Sequence, residues 1–383
     1  MITPSEIPNM RGVEVWFEPK TTATTTASLP AGIPPTHPAV VITAPRAPLS
    51  ILYRPTEAPG PGEALVHVEW TTSTPLDLHH ADGGLLIDPP HVGGSSFGGT
   101  VIALGPAPSD ASVAAAHNKL SVGDQVFSMA WREPREHGFH DVHHGAVLPD
   151  EMSKLPEGTR MHEAVTVSTN LVTVLHTLTK DLELEMPRKK DKKQWILVWG
   201  AASSRHHQEL LTLGAAAYFD YSQGDVTDLI RSHVATAAAS SSSSSDNNAT
   251  IPLVLDYIGS LEGSLRPPTR LAEKGTKVAV MLSVINKHTT NNKPPEGSEF
   301  MKNHAQPDIV PALLEQGVVK PNKQSTVEGA TLLERATNAL KILRDRAQSG
   351  EKLEWRVDEK SAHELFPDLF VPKADPTKAE TII

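Results

Sequence analysis

The apolar run Trp195-Ile196-Leu197-Val198-Trp199 ends at Gly200-Ala201-Ala202-Ser203-Ser204-Arg205. Such a run suits a parallel strand buried on both faces. A glycine-containing turn directly after it lets backbone N–H groups approach a phosphate. Gly200 and Ser204 are therefore candidate phosphate contacts. Arg205 is the candidate partner of a further phosphate, because a guanidinium meets phosphate oxygens in a bidentate manner.

Other chemistry is sparse. The chain has no cysteine, which removes disulfides, thiolate nucleophiles and thiolate metal ligands together. His140-Asp141-Val142-His143-His144 is the densest histidine cluster. On a strand, His140 and His144 share a face, but no carboxylate joins them at that spacing, so a polar strand face is expected rather than a metal site. His79-His80 and His206-His207 are adjacent pairs whose side chains diverge. No Ser-His-Asp set or carboxylate pair stands out, and no catalytic acid is named.

The elements that must position these residues change in kind along the chain. Residues 13–17 read as a short strand, and the following Thr/Ala/Pro-rich stretch reads as a flexible insertion. Ala64–Trp70 alternates as a half-buried strand should. Further short strands are expected near Val101–Gly105, Val122–Phe127 and Gly138–Leu148, which together suggest a small all-β domain. From Glu163 to Leu178 the apolar spacing is helical. Strands are then expected at Trp195–Trp199, Tyr218–Tyr221, Leu253–Tyr257 and Lys277–Leu282, with helices between them, the pattern of a parallel α/β layer. Ala237–Ser245 is low in complexity and is expected as a loop. An amphipathic helix through Leu332–Leu343 precedes a final strand, Lys352–Val357.

The chain has 383 residues, 39% of them hydrophobic, and a formal net charge of -10. That balance disfavours nucleic acid, whose phosphates call for a basic face. No signal peptide is evident at Met1-Ile2-Thr3-Pro4 and no apolar stretch is long enough to span a membrane. A cytoplasmic protein without a membrane partner is expected.

Several of these segments together resemble the medium-chain dehydrogenase/reductase superfamily. Pro59-Gly60-Pro61-Gly62-Glu63-Ala64-Leu65-Val66, Thr74-Pro75-Leu76-Asp77, Gly94-Ser95-Ser96-Phe97-Gly98-Gly99-Thr100-Val101, Val122-Gly123-Asp124-Gln125-Val126 and Val254-Leu255-Asp256-Tyr257-Ile258-Gly259-Ser260 match its recurrent motifs. The likeness extends to zinc-free quinone-oxidoreductase-like proteins and fungal trans-acting enoyl-reductase-like proteins, including toxin-cluster reductases. It implies an α/β fold: a GroES-like β domain plus a Rossmann-type doubly wound parallel sheet. The implied layout is a GroES-like substrate domain over 1–165 (with 20–47 the flexible insertion), a nucleotide-binding domain over 166–326, and a return to the first domain over 327–383.

The same resemblance implies NADPH as cofactor, with His206 and Tyr221 near the adenosine end and Tyr257 and Ile258 beside the nicotinamide ribose. Thr74, Asp77, Ser168, Asn170 and Thr173 fall at positions that line the substrate cleft. Gly94-Ser95-Ser96 stands where zinc-dependent relatives carry Gly-His-Glu, so no zinc is expected. A small-molecule substrate and a monomer or homodimer follow.

The parallel sheet is expected to be incomplete. After Gly200 the sequence moves directly to a segment that belongs further along in relatives. A helix and a strand near 203–205, on the order of 22–25 residues of a βαβ unit, are missing. A further strand is missing near 286–298. The strand at Tyr218–Tyr221 must then leave a slot in the sheet or slide into it, and reduced or abolished cofactor affinity is expected. Three readings follow: a reductase transferring hydride to an activated C=C bond or a quinone in fungal secondary metabolism, a catalytically inert descendant acting as a binding or scaffold protein, or a truncated reading of the gene of an active reductase.

Overall fold

The computed structural model describes residues 29–370, except 86, 95, 110–113, 115–116, 130–144, 148–151, 185–193, 201–203, 241–249, 259–263, 265, 281–303 and 348. The expected strand at 13–17, the cluster His140–His144 and the expected gap near 286–298 lie outside the described residues. Among the described residues two compact units emerge, one within 176–280 and one within 29–175 and 304–370.

The larger unit is mostly β. Its main sheet runs β12 (Gln324–Thr326), β13 (Lys352–Arg356), β3 (Ala64–Ser73), β5 (Ser96–Leu104), β6 (Gln125–Met129), β8 (Ser153–Lys154), and β7 (Gly145–Val147) also pairs with β3. The last strand of the chain thus returns to one of the first: β13 lies antiparallel to β3, with Leu353 opposite Ser73 and Arg356 opposite Trp70. Alternation along β13 sends Leu353 and Trp355 into the core, both fully buried. Burying side chains of this size contributes roughly 1.5–3 kcal/mol each. The Trp355 indole nitrogen also donates to Ser73 Oγ at 3.0 Å, which satisfies the polar edge that burial would otherwise strand.

A second sheet orders β2 (Ser50–Pro55), β1 (Thr36–Ile42) and β4 (His91–Val92). β1 falls inside the expected flexible insertion at 20–47 and corrects it. Ala39, Val40, Val41 and Ile42 are all buried, with Val40 and Ile42 in the main core and Ala39 and Val41 against Val92. The Thr/Ala/Pro-rich flank hides a four-residue apolar run that is long enough to pack both faces of a strand. Over this core lies the helix Leu332–Arg344. Its N-cap Thr331 accepts a hydrogen bond from Glu334 N, and Ala336, Ala339, Leu340 and Leu343 form its buried stripe.

The boundaries between the units also differ from those expected at 165/166 and 326/327. Helices Met161–Ala164 and Ser168–His176 and the segment Ala305–Glu315 share one cluster with Phe127 of β6. Apolar burial therefore holds residues 166–175 and 304–326 in the β unit.

The smaller unit carries three parallel strands, in the order β11 (Lys277–Val280), β10 (Leu253–Asp256), β9 (Ile196–Trp199). The central β10 is buried along its length. The 15-residue helix Val226–Ser240 seals one face with Val226, Ile230 and Val234. It runs through Ala237–Ser240, part of the stretch expected as a loop; alanines favour continuation of a helix that is already nucleated.

Tyr218–Tyr221 is not a strand, which corrects the expectation. A strand in a parallel sheet needs cover on both faces. The preceding helix, His207–Thr212, has six residues and buries none of them, so pairing beside β9 would gain little. Instead Tyr218 stacks on His207, with ring centroids 4.0 Å apart, and Phe219 meets His233 edge-on at 5.6 Å. Among the described residues β9 is an edge strand with one neighbour. No described strand fills the slot beside it or closes it by sliding.

Candidate functional site

β9 ends at Gly200, whose φ of +102° lies in the region that glycine adopts without strain. The turn passes against the end of β10: Tyr257 N donates to Trp199 O at 3.1 Å. Ile258 lies over the glycine, and a Cβ at residue 200 would stand 2.6 Å from Ile258 Cγ1. Asp256 organises this corner. Fully buried, it accepts from Ile258 N at 2.9 Å through one oxygen and from Ser264 Oγ at 2.7 Å through the other. Burial raises the pKa of the Tyr257 phenol.

Three of the expected cofactor residues, Gly200, Tyr257 and Ile258, are thus brought together. The others are differently placed. Ser204, Arg205 and His206 form a short 3-10 turn. Ser204 and Arg205 are exposed, and His206 Nδ1 lies 3.8 Å from Glu209 Oε2. Tyr221 is 51% exposed and follows no strand. A pyrophosphate is normally held by a full helix that opens on the turn. Here the turn is followed by a 3-10 turn and a six-residue helix none of whose residues is buried, while Ile258 covers the glycine. These residues do not fit a firmly held dinucleotide.

The expected cleft residues lie in the β unit. Asp77 is an N-terminal cap: its Oδ2 accepts from Thr74 N at 2.6 Å and from Thr74 Oγ1 at 2.8 Å. Thr173 Oγ1 donates to Thr169 O at 2.6 Å, one turn back along its helix. Ser168 is fully buried, and its Oγ meets no hydrogen-bond partner among the described residues.

Asn170 leads to a residue that sequence reasoning missed. Its Oδ1 accepts a hydrogen bond at 2.9 Å from Nζ of Lys352, a lysine only 7% exposed. Burial pushes the Lys352 pKa down to about 8, and the charge of Asp77 opposes the shift. Thr74, Asp77, Asn170 and Lys352 are therefore one polar cluster. The available signal was alternation in Lys352-Leu353-Glu354-Trp355: sending Leu353 and Trp355 to the core puts Lys352 and Glu354 together on the opposite face.

Among the described residues no group of three histidines or carboxylates is placed to hold a metal ion, and no helix is long and apolar enough to cross a membrane.

Residues 60–175 match the alcohol dehydrogenase GroES-like domain. The chain is 28% identical over 235 residues to the trans-enoyl reductase tndF of Aspergillus flavipes, covering 52% of this chain and 63% of that one. It thus spans less than two thirds of that relative's length. Among solved structures, an alcohol dehydrogenase superfamily protein from Novosphingobium aromaticivorans superposes with a TM-score of 0.60 at 18% identity, over 84% of this chain and all of the other. A mycobacterial protein solved in complex with NADPH gives 0.55 at 19% identity, over 84% and 99%. The two units are accordingly a GroES-like β unit and a Rossmann-type parallel α/β unit.

Proposed function

We propose, for a chain that is an enoyl-reductase-like member of the medium-chain dehydrogenase/reductase superfamily, a descent from NADPH-dependent reductases of activated C=C bonds or quinones in secondary metabolism, with dinucleotide affinity lost as the chain folds. The likeness to the Aspergillus flavipes trans-enoyl reductase supports the substrate class. The NADPH-bound mycobacterial structure supports the cofactor class for the fold. In that chemistry the cofactor supplies a hydride and the protein supplies orientation.

The observation that carries the loss is β9 standing at the sheet edge, with Tyr218–Tyr221 outside the sheet. Among the described residues no second strand beside β9 is present to carry cofactor residues. What is kept is the GroES-like unit with its Thr74, Asp77, Asn170 and Lys352 cluster, which suits a small-molecule ligand. Titration of the full chain with NADPH, followed by nicotinamide fluorescence, tests the reading. A dissociation constant well above the micromolar range is expected, with no turnover of enoyl thioesters or quinones. Low-micromolar binding with turnover restores the working reductase.

A further inference from the structure

The slot beside β9 is a cavity. It holds about 310 Å³, open to solvent, between the strand, residues 215–221 and the helix Val226–Ser240. That volume lies at the lower end of the roughly 300–1,000 Å³ range of small-molecule sites.

Its chemistry is selective. Trp195, Trp199 and Phe219 give it aromatic walls, and Ile230 and Val234 give it an aliphatic one. Among the described lining residues there is no Asp, Glu, Lys or Arg. An ion placed there would lose its hydration and gain no counter-charge, so phosphate-bearing ligands are disfavoured. His233 is the basic side chain of the wall, held edge-on by Trp195 at 5.9 Å and by Phe219 at 5.6 Å. A polar rail complements the apolar walls. Residues Trp195 to Gly200 all line the cavity, and among the described residues the outer edge of β9 pairs with no strand. Its backbone N–H and C=O groups can serve a ligand that carries an acceptor or donor on its rim. Tyr221, half-exposed, and Gly200 also line it.

We propose that this cavity is a binding site for an uncharged, planar, largely aromatic small molecule with a hydrogen-bonding group on its rim. The ligand occupies the volume that a further helix and strand would fill in a complete Rossmann-type sheet. A ligand that takes these apolar walls out of water gains by burial, and one that binds the folded chain adds stability by mass action. Gly200 and Tyr221 border this site, but among its described lining residues there is no lysine or arginine to pair with a phosphate, so its occupation does not require NADPH.

The test uses 6-propionyl-2-(dimethylamino)naphthalene, a neutral planar dye with a ketone acceptor, on the full chain. Saturable one-to-one binding is expected, with blue-shifted emission, energy transfer from tryptophan and a Tm that rises with dye concentration. Ala217→Trp, which places a ring in the cavity, is expected to weaken binding at least tenfold, and the milder Ala216→Leu to weaken it severalfold with cooperative unfolding intact. The anionic anilinonaphthalene sulfonate is expected to bind at least tenfold more weakly than the neutral dye. Millimolar NADPH is expected to leave the dye in place. Unsaturable or multi-site binding, equal affinity in Ala216→Leu and the parent, equal affinity for the sulfonate, or displacement by NADPH overturns the proposal.

Discussion

Lys352 Nζ donates to Asn170 Oδ1 across 2.9 Å, and this bond joins the returning strand β13 to the helix Ser168–His176. The amine stays buried beside the Asp77 carboxylate, with its pKa lowered to about 8. Between that value and the ordinary lysine value the unfolded chain binds a proton that the folded chain does not. Stability therefore rises as pH increases from about 8 toward the ordinary lysine range, and the full penalty is present below it. The span is worth on the order of 3 kcal/mol. Urea unfolding from pH 7 to 10 is expected to show the rise, and Lys352→Met to flatten it. A flat profile in the parent chain rejects the assignment.

Glu354 shares that face and is 1% exposed. Burial raises its carboxyl pKa, while a 2.5 Å hydrogen bond from Thr326 Oγ1 works against the shift. A raised carboxyl pKa means the charged form is disfavoured in the fold, so its contribution falls as pH rises through the carboxylate range. Glu354→Gln, which keeps the acceptor, is expected to raise Tm at pH 7 and to change little near pH 4. Equal shifts at both values point to packing instead.

Gly200→Ala combines two costs. The φ of +102° is strained for any residue with a Cβ, and that Cβ meets Ile258 Cγ1 at 2.6 Å. A loss of about 1–3 kcal/mol is expected. Adding Ile258→Ala should recover the steric part and leave the backbone part, so a double-mutant cycle by chemical denaturation shows coupling. Strict additivity separates the two residues.

Asp77 is expected to act on stability through its cap. Asp77→Ala should cost about 1–2 kcal/mol, because Thr74 N loses its 2.6 Å partner, while Asp77→Asn retains an acceptor and should be close to neutral. A large loss in Asp77→Asn points instead to its charge, acting on Lys352; the shift of the Lys352 titration in that variant measures this coupling.

Legibility followed how local the physics was. The return strand Lys352–Arg356 and the buried β10 show their partners through alternation or an unbroken apolar run, and both stand where the sequence places them. Tyr218–Tyr221 has the aromatic content of a strand, but whether it pairs depends on a covering helix that the chain lacks. The run at Ala39–Ile42 was masked by its flanks. The candidate site divides in the same way. Gly200 and Ile258 meet because neighbouring strands end together. The burial of Lys352 depends on a helix some 180 residues away in sequence, a separation of 182 to Asn170, and no local pattern carries it.

The β13–β3 pairing also sets a schedule for synthesis. Trp355 reaches Ser73 across 282 positions, and β13 sits between β12 and β3 in the sheet. At roughly 5–20 residues per second of translation, the Trp70–Ser73 end of β3 waits on the order of tens of seconds for β13, whereas β7 reaches Ala64–Val66 much sooner. The described part of the smaller unit, up to Val280, has emerged by then and is free to collapse around β10.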